Sequence, residues 1–188
     1  MAARDIMPFK SPHGGTTTVK TGSMTANEVF EVGEPVMVVD AGTITEPTDD
    51  AAQWTVAQMD IGMQCGIACF GPGASNINPR TGVAFATADE VAFWPANEGT
   101  LFITSNVFAA GAGSASAPAL TDMGESYQIT YGTTDPIGWG VEKTAGVSGV
   151  DVQALIVDVL DAQLNPISRS GNTGVYVVFE IIATLGAA

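Results

Sequence analysis

From Glu28 onward the apolar positions alternate over short runs instead of recurring at helical spacing. In VYVVFEIIAT, Val175, Val177, Phe179 and Ile181 fall on one face and Tyr176 and Glu180 on the other, the period of a half-buried strand. VQALIVDVL is almost continuously apolar, which predicts a strand covered on both faces. The same reading predicts strands at EVFEV, PVMVVDAG, TIT, MQCGIACF, TGVAFAT, EVAFW, TLFITSN, SYQIT and IGWGVEK, parted by Gly, Pro and Asn turns. Pro35 falls at a strand start, where its missing N–H is tolerated. One segment departs from this pattern. EPTDDAAQWTVAQMD predicts a short helix, with Thr48 as its cap, Asp49 and Asp50 in the first turn, and Trp54 and Ala57 on one face. Roughly ten short strands with one short helix predict an all-β fold, a compact antiparallel sandwich or barrel, jelly-roll-like or related.

Two stretches stand apart from the alternating pattern. Residues 1–25 hold two prolines, the Gly14–Gly15 pair and a run of threonines, with no periodicity strong enough to pack alone. They are expected to form an extended N-terminal arm ahead of a single β domain, residues 26–188. Within that domain, AAGAGSASAPA (109–119) is built of small residues and is expected to be a flexible crossover.

Charge sharpens the contrast. The 188-residue chain has six basic and 20 acidic residues, a net charge of -14. Arg4, Lys10 and Lys20 against Asp5 leave the first 25 residues at +2, and therefore the remainder at -16. So acidic a body repels phosphate backbones and anionic membrane surfaces, so neither nucleic acid nor membrane is an expected partner. The first dozen residues are too polar for an export signal, and the apolar stretch at the C-terminus is short and interrupted by Glu180. Synthesis in the cytoplasm without export is the expectation.

The residues that carry chemistry are sparse. His13 is the only histidine and lies in the Pro/Gly-rich arm, a poor setting for a preorganised base, and neither cysteine has a base partner in the pattern. If the segment around Cys65 and Cys69 is extended, their Cα atoms are ~13 Å apart at ~3.3 Å per residue, beyond disulfide reach. Zinc needs four Cys or His ligands, and the chain has three. Calcium is the better metal candidate, with Glu46, Asp49 and Asp50 on one turn, although their order is not that of an EF-hand loop. Paired carboxylates for glycoside hydrolysis are conceivable among 20 acids, but Trp54, Trp94 and Trp139 are scattered singly instead of lining a sugar cleft. The glycine-rich stretches lack the lysine and the strand-to-helix setting of a phosphate loop. No cofactor and no enzymatic activity are expected.

The order of certain motifs carries further. FEVGEPVMVVDAGTITEPTDD (Phe30–Asp50) is similar to the opening hairpin of tailed-bacteriophage head decoration, or cement, proteins, with its F-x-x-G-[ED]-P-V pattern. MQCGIACFGP (Met63–Pro72) resembles the Gly-Ile-Ala strand that follows there. APALTDMGESYQITYGTTDPIGWGVEK (Ala117–Lys143) resembles the family's D-x-G-x-x-Y-x-[IL] segment and Gly-Trp strand, and GVDVQALIVDVLD resembles its closing strand. The likeness spans most of Phe30–Asp161 in feature order but only four short motifs by residue, and NPRTGVAFATADEVAFWPANEG has no counterpart in it. It implies a non-enzymatic protein on the outer surface of the virion that binds the major capsid protein and bridges neighbouring subunits as a dimer or trimer. Charge then adds an expectation of its own: the arm, with Arg4, Phe9, Lys10, His13 and Lys20, lies along the shell, its cations meeting capsid carboxylates. The competing reading is a carbohydrate-binding module, for which Trp94 and Trp139 would share an exposed groove.

Overall fold

A computed structural model describes residues 6–9, 18–24, 30–38, 43–45, 65–72, 76–97, 99–110, 114–132, 138–145, 152–168 and 173–183. Two sheets divide the chain. Five strands close into a barrel: β2 (Lys20–Met24), β3 (Pro35–Val38), β4 (Thr43–Thr45), β5 (Cys65–Phe70) and β6 (Glu90–Pro95), in the order β2-β4-β3-β5-β6 with β6 returning to β2. Every barrel pairing is antiparallel except β2 with β4. The other seven strands form an open sheet, β1-β7-β12-β11-β9-β10-β8. They are β1 (Met7–Phe9), β7 (Leu101–Thr104), β8 (Val107–Phe108), β9 (Ser126–Gly132), β10 (Gly138–Ala145), β11 (Val152–Leu160) and β12 (Tyr176–Ala183). The all-β expectation is met, as a barrel joined to a sheet.

The barrel interior is filled by Met24, Phe30, Val36, Ile44, Ala68, Phe85, Val91 and Phe93. Five strands leave a narrow lumen that side chains fill completely. The sheet packs its inward face, including Phe102, Ile129, Val141, Ala154, Ile156, Val177 and Phe179, into a second cluster. Cys65 and Ile67 of barrel strand β5 belong to that second cluster, and Trp94 and Ala96 pack against it, so the two halves share apolar surface. Alternation along β12 follows the sequence pattern: Val177, Phe179 and Ile181 face this core, while Tyr176 and Glu180 lie opposite. The nearly continuous β11 is covered on both sides, as Val159 joins the inner core and Leu160 an outer cluster with Leu101 and Val178. A bulge between Ile156 and Asp158 interrupts it and leaves Val157 exposed.

Several expectations are revised. Of EVFEV, the described residues 30–32 are not a strand. Phe30 is fully buried, and Glu31–Glu34 form a turn closed by the Glu34 N–H to the Glu31 carbonyl, with Gly33 at φ 100°. Gly33 is at the third position of this turn, which requires positive φ. TGVAFAT is not a strand either; its backbone joins a tight loop in which Ile77 and Ala84 form an isolated bridge. Phe85 from this loop closes over the barrel core. Within the first 25 residues, expected as an extended arm, Met7–Phe9 pairs with β7 and Lys20–Met24 is a barrel strand. The small-residue stretch is tied down where it is described: Ala109 donates to the Ser114 carbonyl and Ser116 to that of Val107. The helix expected at Glu46–Asp60 lies outside the described residues. The helical turn that the structure describes is a 3₁₀ turn, Leu120–Asp122. No helix among the described residues is long and apolar enough to cross a membrane.

Candidate functional site

Two of the motifs quoted for the resemblance meet in space in one knot, and a third closes on itself in another. In the first, Phe30 lies against Gly71, whose absent side chain leaves room for the ring; a Cβ there would run into the Phe30 ring atoms. The backbones of the two motifs lock together: Gly33 N–H donates to the Ala68 carbonyl at 2.9 Å and Ala68 N–H to that of Glu34 at 2.7 Å. Pro35 then opens β3 opposite Ile67, and the Glu34 carboxylate turns back to accept from the Glu31 N–H at 2.8 Å. FEVGEPV and CGIACFGP are therefore the two sides of one barrel corner.

The second knot gathers Asp122, Tyr127 and Lys143 from the D-x-G-x-x-Y segment and the end of the Gly-Trp strand. The buried Asp122 accepts from the Tyr127 hydroxyl at 2.8 Å and from the Ala119 N–H at 2.8 Å, and pairs with Lys143 Nζ at 2.6 Å. Lys143 also donates to the Ala117 carbonyl at 2.8 Å. All of these bonds converge on the 3₁₀ turn, so one carboxylate fixes the entry into β9, the hydroxyl of β9 and the lysine of β10. Burial and the adjacent carboxylate push the Tyr127 phenol above its usual range. It is a neutral donor here, a structural role.

Two of the expected contact residues are described, and they lie in different sheets. Phe9 lies in edge strand β1 and packs against the outer cluster of Leu101, Leu160 and Val178. Lys20 opens β2 opposite Phe93 and is half-buried. Arg4, Lys10 and His13 lie outside the described residues, as do the calcium candidates Glu46, Asp49 and Asp50. Among the described residues no group of three or more His, Cys, Asp or Glu side chains is placed to share a metal ion. Cys65 and Cys69 are both unpaired on one strand. Burial pushes the Cys65 thiol up to about 12 and raises that of Cys69 as well, so neither is an activated nucleophile.

Trp94 and Trp139 are each half-buried against the larger core, and Trp139 meets Tyr131 edge to face at 5.8 Å. Such packing counts against an open sugar-binding groove. The stretch without a counterpart in the resemblance begins in the loop that leads into β6, and side-chain hydrogen bonds tie that part together. Asn78 is buried, accepts from the Arg80 N–H and donates to Asp89, which in turn accepts from the Ala86 N–H. Arg80 stacks over Phe70 at 4.6 Å and pairs with Glu90 at 3.1 Å.

Sequence reasoning singled out Asp122, Gly124 and Tyr127 only as a pattern; the partner that explains them, Lys143, stands 21 residues beyond Asp122, and nothing but folding joins them. Comparison with protein-family models, curated proteins and solved structures finds no match for this chain.

Proposed function

We propose that this protein is a capsid cement protein: a non-enzymatic component that attaches to the outside of an assembled phage head, contacts the major capsid protein and stabilises the shell by bridging neighbouring subunits. Supporting the reading is the way the quoted motifs pair. Residues chosen for likeness to decoration proteins, 30–36 with 66–72 and 122–127 with 143, make specific turn, packing and ion-pair contacts with one another.

A rigid body with few cations suits attachment by many weak contacts, each exposed ion pair contributing below about 1 kcal/mol, with multivalency supplying the holding power. The test is co-sedimentation of the purified chain with undecorated heads of the phage that encodes it. Deleting residues 1–25 would remove β1 and β2, so the arm is better tested by neutralising Arg4 and Lys10 to alanine. Saturable binding by the wild type supports the reading, and its loss in the double variant assigns part of the grip to the arm. Absence of binding at physiological salt removes the reading.

A further inference from the structure

The loop that leaves β11 is a tight turn with an unsuitable residue at its critical position. Leu164 N–H donates to the Asp161 carbonyl at 3.0 Å, and Asp161 N–H donates to the Asn165 carbonyl at 2.9 Å. This is a type I turn followed by a bulge residue in the left-handed region, the place where glycine, or failing that asparagine, is normally found. Here Leu164 occupies it at φ 65°. The conformation is forced by its neighbours. Asp161 Oδ1 accepts from the Gln163 N–H at 2.8 Å and the Asn165 N–H at 2.9 Å, Pro166 bridges back to Leu160, and Ile167 N–H donates to Val159. The leucine side chain gains little for this strain, being 52% exposed.

The surroundings share its character. Of the eight large apolar side chains exposed among the described residues, four stand at this end of the sheet: Met123, Val157, Leu164 and Val175. Backbone bonds join them along β11. Gly124 and Glu125 bond to Ile156 beside Val157, and Val175 bonds to Leu160. Val157 and Leu160 are ~10 Å apart along a strand. Glu125, Asp158 and Asp161 lie beside them in the chain, while among the described residues of the sheet the lysine Lys143 is paired with Asp122. Two copies meeting at this end would set these acids against each other, whereas a basic partner would be drawn to them.

We infer that the Leu164 turn is a preformed anchor that inserts into an apolar pocket rimmed by lysine or arginine on another protein. Resting on the proposed function, that partner is the capsid subunit. Strain at an exposed apolar tip that the core does not use points to a role in contact. The turn is already fixed before binding, so docking costs little further ordering.

Leu164→Gly and Leu164→Asn, with the wild type, are compared by urea unfolding and by titration onto undecorated heads at two salt concentrations. The unfolding midpoint is expected to stay level or rise in both variants, while affinity for heads drops by about tenfold or more, as for a central anchor. Wild-type binding should weaken as salt rises. A lowered midpoint in both variants would show that the leucine serves the fold and overturn the inference. Unchanged head binding would overturn it too, leaving the capsid reading intact. Failure of the wild type itself to bind removes the capsid reading and this partner together. Self-association of the free wild type that Leu164→Gly abolishes would assign the tip to a second copy instead, against the inference.

Discussion

The barrel and the sheet solve the same problem differently. Of the nine buried polar or charged side chains among the described residues, the sheet half holds seven, including Asp122, Gln128, Glu142 and Gln153; the barrel half holds Thr45 and Asn78. In the sheet, Glu142, Gln128 and Gln153 stand opposite one another across three adjacent strands, each nearly inaccessible. A closed barrel satisfies its own edges, and its register is limited by the geometry of closure. An open sheet has no such constraint. Polar side chains buried in a fixed cross-strand row penalise a one-residue slip, which would turn them toward the apolar core. Apolar filling stabilises the first half; in the second, buried polarity adds definition at some cost in desolvation.

The largest effects should come from the two cores. Phe93→Ala in the barrel and Phe179→Ala in the sheet are each expected to cost about 3–5 kcal/mol. Both should unfold in one transition by fluorescence and circular dichroism, since Cys65 and Ile67 of β5 sit inside the sheet's core. Two separated transitions would break the comparison by making the halves independent. Next, Asp122→Ala strands the Tyr127 hydroxyl, the Ala119 N–H and Lys143 together, an expected loss of about 3 kcal/mol. Tyr127→Phe, which removes one donor and leaves the ion pair, should cost about 1 kcal/mol. Equal losses would mean that the ion pair adds nothing beyond the hydroxyl.

Alkaline titration probes the core beneath the sheet more gently, through one group from each half. Burial holds the Cys65 thiol at about 12 against 9.0 when unfolded, so the unfolded chain ionises first as pH rises. The resulting stabilisation is complete below pH 9.0 and is lost between there and about 12. The Tyr127 phenol is shifted the same way from 10.0, and its contribution fades above that pH. Cys65→Ala should flatten the first part of the decline in urea midpoint with pH, and Tyr127→Phe the later part. The smallest effect is expected on the barrel loop. Arg80 and Glu90 are 61% and 53% exposed, so Arg80→Ala should cost only about 0.5–1 kcal/mol, most of it from the stack on Phe70.

Much of the strand inventory was legible because burial on one face writes itself into alternation: β12 is the clearest instance, and β3 begins at Pro35 as its chemistry requires. The failures have physical causes. KTGSM carries small and polar residues with little strand preference, and β2 exists because β4 and β6 flank it. TGVAFAT alternates correctly but is bent by Gly82 at φ 74° into a loop whose one buried aromatic, Phe85, faces the barrel. Phe30 announces a strand by composition and instead terminates against Gly71. Of the candidate site, Asp122 and Tyr127 were visible as a spacing, but Leu164 was not. An exposed leucine between glutamine and asparagine carries no signal until its backbone angle is known.

The pairing of β1 with β7 also orders events in time. Hairpins such as β9–β10 and β11–β12 close between neighbours in the chain, whereas Phe9 must find Leu101, 92 positions away. Loop closure over that span is slow relative to local pairing, so the N-terminal strand is expected to dock late. Substituting Ile6 by alanine should accordingly speed unfolding and leave the folding rate nearly unchanged. Until that docking occurs the outer edge of β7 offers unpaired N–H and C=O groups to any neighbouring chain. Met7–Phe9 thus cover that edge once docked, and a substitution that keeps them from docking should lower the yield of soluble protein as well as the stability of what has folded.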